Sequence, residues 1–211
     1  MKIKDLLAAA ATLGFCLWMA SASADVIFTL GNHPQADENN ILFGDPATGA
    51  LITGEVDHSG VAVEFSSLTG QILDQHAKGQ ASIEEVNGDP LTSMFVEVPG
   101  YTFGDFILNL QNGTGFATVT VVDNFNEVFI YELGNGQNFL TITTENGETI
   151  ASVTVMMSAG GGFDVFKQPR ISQVCNTETC VPLEQIPEPQ TLALLGLALL
   201  SLVLVRRRRM A

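Results

Sequence analysis

GFATVTVVDNFNEVFIYELGNGQNFLTITTENGETIASVTVMM, residues Gly115 to Met157, is a period-two sequence. In Gly115-Phe116-Ala117-Thr118-Val119-Thr120-Val121-Val122 threonines alternate with apolar residues. A pleated strand sends successive side chains to opposite faces, so this pattern buries one face and wets the other. Three further runs follow at short intervals: 127–133, 138–143 and 149–157. Between them stand Asp123-Asn124, Gly134-Asn135-Gly136 and Glu145-Asn146-Gly147-Glu148, and Gln111-Asn112-Gly113 precedes them. Asn and Gly tolerate positive φ and therefore close tight hairpins.

Working outward, the same pattern predicts strands at 26–30, 61–66, 81–86, 91–98 and 103–110. A last strand is predicted over 163–172, with Pro169 marking an edge or a bulge because proline cannot donate to a ladder. About ten short strands, with no helical period between them, predict an all-β fold, an antiparallel jelly-roll-like sandwich. Residues 25–173 are enough for one domain with a real core.

The two ends of the chain are of another kind. Lys2 and Lys4 precede an apolar run from Leu6 to Ala20, and Ser21-Ala22-Ser23-Ala24 follows. This order describes a secretory signal peptide over 1–24, with Ala22 and Ala24 in the pockets of signal peptidase and the cut before Asp25. Lipid attachment at Cys16 is disfavoured, because the residue before it is the large Phe15. From Asp25 to Pro189 three basic residues (Lys78, Lys167, Arg170) stand against 22 acidic ones, a balance of −19. Such a surface repels phosphate backbones, so nucleic acid is not an expected partner.

Export also fits the cysteines. With Cys16 removed, Cys175 and Cys180 are the only pair, and in an oxidising compartment they are expected to form a disulfide closing a small loop in a 174–186 linker.

Chemistry is sparse. His33, His58 and His76 each sit in a polar turn without a metal-binding partner at helical or strand spacing. Asp57-His58-Ser59 holds the residue types of a hydrolase triad, but adjacent residues do not converge their side chains in that way. Glu84 and Glu85 are strand neighbours on opposite faces, which does not suit a glycosidase pair. No enzyme is expected, and no cofactor, with one exception. Structural calcium could take oxygen ligands from Asp37-Glu38-Asn39-Asn40 with Asp45, or from Asp123-Asn124 with Asn126. The competing reading of both segments is a plain Asx turn. A sugar platform is poorly provided: the only tryptophan, Trp18, leaves with the signal peptide, and Tyr101 and Tyr131 remain beside phenylalanines that mostly fall on core-facing positions.

The C-terminal segment 187–211 reads differently. Pro187-Glu188-Pro189 leads into an uncharged 14-residue run from Leu192 to Val205, and Arg206, Arg207, Arg208 and Arg209 close it. The run is short against the ~20 residues of a bilayer crossing, and the arginines would halt translocation on the cytoplasmic side. This arrangement resembles the PEP-CTERM sorting signal of Gram-negative bacteria. The resemblance implies a short hydrophobic helix lodged transiently in the inner membrane through 190–205. It also implies recognition of Pro187, Glu188 and Pro189 by an exosortase, an inner-membrane cysteine transpeptidase that supplies its own nucleophile. Cleavage near the motif would release the protein or join it to a carrier, often in bacteria making exopolysaccharide. The expected role is structural or adhesive, at the cell surface or in an extracellular matrix or biofilm. The alternative is a carbohydrate-binding module.

Overall fold

Thr118 and Thr120 face solvent while Ala117, Val119, Val121 and Asp123 are buried, so the alternation that opens the sequence is realised strand-wise. The computed structural model describes residues 26–75, 79–145 and 147–176. Every regular element in them is a strand. The first nine are β1 (Val26–Leu30), β2 (Glu38–Phe43), β3 (Ala47–Gly49), β4 (Leu51–Val56), β5 (Ala62–Ser66), β6 (Leu73–Gln75), β7 (Gly79–Gln80), β8 (Ser82–Glu85) and β9 (Ser93–Glu97). There follow β10 (Tyr101–Thr102), β11 (Asp105–Gln111), β12 (Ala117–Asp123), β13 (Val128–Leu133), β14 (Phe139–Thr144), β15 (Ile150–Met157), β16 (Val165–Lys167), β17 (Arg170–Ser172) and β18 (Cys175–Asn176).

Sixteen strands make one open antiparallel sheet in the order β13-β12-β15-β9-β5-β4-β2-β17-β11-β16-β8-β6-β3, with β14 bridging β1 to β11 and β7 beside β2. The remaining two, β10 and β18, pair with each other. The sheet doubles over at β2. One end of that strand pairs with β4 through Ile41 and Leu42, and the other with β17 through Glu38, Asn39 and Asn40. Rings far apart in strand order therefore meet: Phe28 of β1 stacks on Tyr131 of β13 at 5.3 Å, and Phe65 of β5 meets Phe166 of β16 edge-on at 6.1 Å. The result is a sandwich of two layers around one core.

The core is linked by phenylalanines. Phe43 contacts Phe65, which contacts Phe166; Phe166 also lies against Phe106 and Phe163. At Gly54 of β4 a β carbon would sit 2.7 Å from Ile41 Cγ2 and 2.9 Å from Phe43 Cε1, so the bare backbone is what lets β2 lean its side chains across β4.

Four differences from the sequence reading stand out. The strand predicted over 163–172 is two strands, because Pro169 offers no N–H; its carbonyl instead accepts the Ile41 N–H. The polar segment Glu38-Asn39-Asn40 is strand, not a ligand loop, and the Asn40 Oδ1 that was a candidate ligand accepts a hydrogen bond from Gln80 Nε2 at 2.9 Å. β3, β4, β6 and β7 were not predicted. Cys175 lies in β18, which extends paired structure into the segment read as a linker.

Candidate functional site

In the layer from β4 to β13 the side chains that miss the core form ordered rows on the solvent side. Through the strand register Thr53, Glu64, Glu97, Ser152, Val122 and Val128 make one row. Leu51, Ser66, Phe95, Thr154, Thr120 and Ile130 make the next. The face thus carries seven hydroxyl or carboxylate side chains and five apolar ones, among them the half-buried Phe95 and the exposed Leu51, Val128 and Ile130. Glu64 and Glu97 are direct cross-strand partners. Like charges placed opposite one another destabilise a sheet, so this pair costs stability where a polar neutral pair would not. Beside the first row, a cleft of about 470 Å³ opens between the exposed side of β4 (Leu51, Thr53, Glu55) and Gly44, Asp45 and the first residue of β3, Ala47.

The aromatic and histidine candidates fall elsewhere. One face of Tyr131 is covered by Phe28, and Tyr101 packs partly against the core. Phe116 and Phe125, about 58% and 63% exposed, are among the phenylalanines that do not face the core. His33 is held in its own turn, its Nε2 2.9 Å from the Leu30 carbonyl oxygen and its N–H donating to Thr141 Oγ1 at 3.0 Å. His58 occupies a left-handed turn position with φ 68° and meets only Asp57, at 3.4 Å. Glu84 and Glu85 do point apart; Glu85 is buried and accepts the Asn87 and Asp89 N–H groups, so it holds the turn after β8.

Two acidic arrangements stand out. In the first, the Glu38 side chain is 3% exposed and lies 3.6 Å from Arg170 Nη1. Burial pushes its carboxyl above the ordinary carboxylate value; the Arg170 charge offsets part of this, and Asp105, which accepts the Ser172 hydroxyl at 2.6 Å, adds to it. A raised carboxyl pKa favours the acid form in the fold. Its stabilisation is therefore present below the unfolded value and lost as pH rises through the folded one, with about 1.4 kcal/mol for each pH unit between the two. Glu38→Gln, which resembles the acid form, is accordingly expected to gain stability relative to the wild type as pH is raised from about 4, the ordinary carboxylate value. Urea midpoints of the two proteins at rising pH measure it, and parallel pH profiles would contradict it.

The second arrangement joins Asp123 to Glu127 and Glu148, with one carboxylate oxygen from each lying within 4.8 Å of the others. The sequence reading had Asp123 with Asn124 and Asn126. Asn124 Oδ1 instead accepts the Thr149 N–H at 3.0 Å, and Asn126 serves the turn with φ 64° and an N–H donated to the Asp123 carbonyl. Glu127 and Glu148 were missed.

Several sequence candidates lie outside the described residues: His76, Cys180, the signal-peptide positions Ala22, Ala24 and Asp25, Pro187-Glu188-Pro189, the hydrophobic helix, and Arg206 to Arg209.

Among known families, the PEP-CTERM protein-sorting motif matches residues 185–209. No curated protein matches the chain. Among solved structures, three mutants of CBM29-2, studied for ligand recognition by family 29 carbohydrate-binding modules, are similar at low level. The first is 14% identical, covering 72% of this chain and 92% of its own, with a TM-score of 0.26. The second is 15% identical over 77% and 99%, with a TM-score of 0.22. The third is 13% identical over 74% and 92%, with a TM-score of 0.20.

Proposed function

From the premise that this chain carries a PEP-CTERM sorting motif at residues 185–209, we propose that it is an exported β-sandwich protein whose C-terminal signal is cut by an exosortase. Its mature part serves a structural or adhesive role in the exopolysaccharide matrix of a Gram-negative bacterium. The motif carries this reading. Signal peptidase removes residues 1–24, the tail holds the chain in the inner membrane until cleavage, and Cys175 and Cys180 close a disulfide loop outside the cell.

The adhesive surface in this reading is the row of hydroxyls and carboxylates from Thr53 to Ser152, with the cleft beside β4. Carboxylates and hydroxyls accept and donate to sugar hydroxyls, whereas the net acidity of the domain disfavours an anionic polymer, so the partner class is an uncharged, hydroxyl-rich polysaccharide. The Glu64–Glu97 pair supports the assignment, since it costs stability on a surface that packing does not constrain.

The test uses that cost. Glu64→Gln is expected to leave stability unchanged or raised by about 0.2–1 kcal/mol, yet to lower retention on matrix polysaccharide isolated from the producing cells. Equal retention of the two proteins, or none by the wild type, would remove the face from the proposal. Loss of matrix cohesion on deleting the chain would still speak for a structural role.

A further inference from the structure

We propose that Asp123, Glu127 and Glu148 form a calcium site that ties the β12–β13 turn to the connection between β14 and β15. Asp123 is the last residue of β12, at a point where the ladder to β15 shifts register so that Asp123 comes opposite Ile150. Its carboxylate is fully buried and fixed from one side: Oδ1 accepts the Phe125 N–H at 2.9 Å and the Glu127 N–H at 2.6 Å. Those two bonds leave Oδ2 buried with no hydrogen-bond partner. A buried carboxylate oxygen without a donor costs free energy unless something positive meets it. The neighbours that close around Asp123 are two more carboxylates, Glu127 and the buried Glu148. Three carboxylates so placed, two of them buried, offer negative oxygens to a divalent cation.

The donor set favours calcium. The three carboxylate oxygens lie within 4.8 Å of one another, close enough to share one ion. Calcium takes carboxylate oxygens in a flexible geometry, whereas magnesium demands near-ideal octahedral geometry and gives up its waters reluctantly. Three carboxylates supply three to six of the six to eight oxygens that calcium takes, and water completes the shell. Glu127 is exposed, so the ion has a path in from solvent. The local structure is held without the ion: Asn124 exchanges bonds with Thr149 in both directions, which already joins the two turns.

Equilibrium dialysis and thermal unfolding of the full-length protein, with calcium or magnesium chloride as the only divalent salt, test this. One calcium per chain is expected, with a Kd of about 10⁻⁴–10⁻³ M, as in extracellular modules. At calcium near 100 times Kd the Tm is expected to rise by about 5–10 °C, and equal magnesium should give less than half of that shift. Glu127→Gln, at an exposed position, should keep the apo Tm and lose the tight equivalent, while Asp89→Asn, in the exposed turn after β8, should behave as wild type. Should Glu127→Gln and the wild type bind equal calcium with equal Tm shifts, the ion is held by the acidic surface at large and the site does not exist. No binding by the wild type at 10-fold above that Kd range would equally overturn it.

Discussion

Phe166→Ala is expected to lower the unfolding free energy by about 3–5 kcal/mol, from lost transfer energy and the cavity left behind. Phe166 is fully buried in a short three-residue strand, and its ring meets Phe65, Phe106 and Phe163 at 6.1, 6.5 and 6.3 Å. Those partners come from both layers, so removing the ring takes away the contact on which the doubled sheet closes. Each aromatic pair adds about 0.5–1.5 kcal/mol beyond burial, which puts the loss toward the upper end of the range. Against a total stability of about 5–15 kcal/mol the variant should be marginal, with a Tm lower by about 6–20 °C. Phe166→Leu, which keeps most of the volume, should recover most of that difference. If Phe166→Ala unfolded within about 1 kcal/mol of the wild type in urea, the layers would have to be held together elsewhere.

The second large effect concerns the tail. Replacing Pro187-Glu188-Pro189 by three alanines is expected to leave the β domain folded and to stop its release. The 14-residue apolar run and the four arginines would then keep the chain in the inner membrane, because the arginines resist crossing and the run is greasy enough to lodge. Extracellular protein should fall by at least tenfold while membrane-bound protein rises. Immunoblots of the two fractions measure this. Equal export of the alanine variant would mean that the tripeptide is not read.

The parts of the fold that were legible in the sequence are those where a single face of a strand is wet. β12 announces itself through Thr118-Val119-Thr120-Val121, and β15 through Ser152-Val153-Thr154-Val155. The turns were legible for the same reason, as Asn112, Gly136 and Gly147 take the positive φ that their residue types allow. β2 was not legible, because its first residues are Glu38, Asn39 and Asn40, the composition of a turn. What makes it a strand is lateral: Arg170 beside Glu38, Gln80 bonding to Asn40, and the bare Gly54 beneath Ile41 and Phe43. None of these partners is near in sequence. The acidic trio was half legible. Asp123 and Glu127 flank one tight turn and could have been paired by their spacing, but Glu148 joins them only because β15 returns alongside β12. The Glu64–Glu97 pair likewise appears only once the β5–β9 register is known.

In the proposed function residues 187–211 are a removable address and not a lasting anchor. Intact-mass measurement of the protein recovered from outside producing cells tests it most directly. Chains are expected that begin at Asp25 and have lost the segment ending in Met210-Ala211, with the new C-terminus close to Pro187-Glu188-Pro189. Exported chains that still end in Met210-Ala211, in a host with an active exosortase, would contradict it.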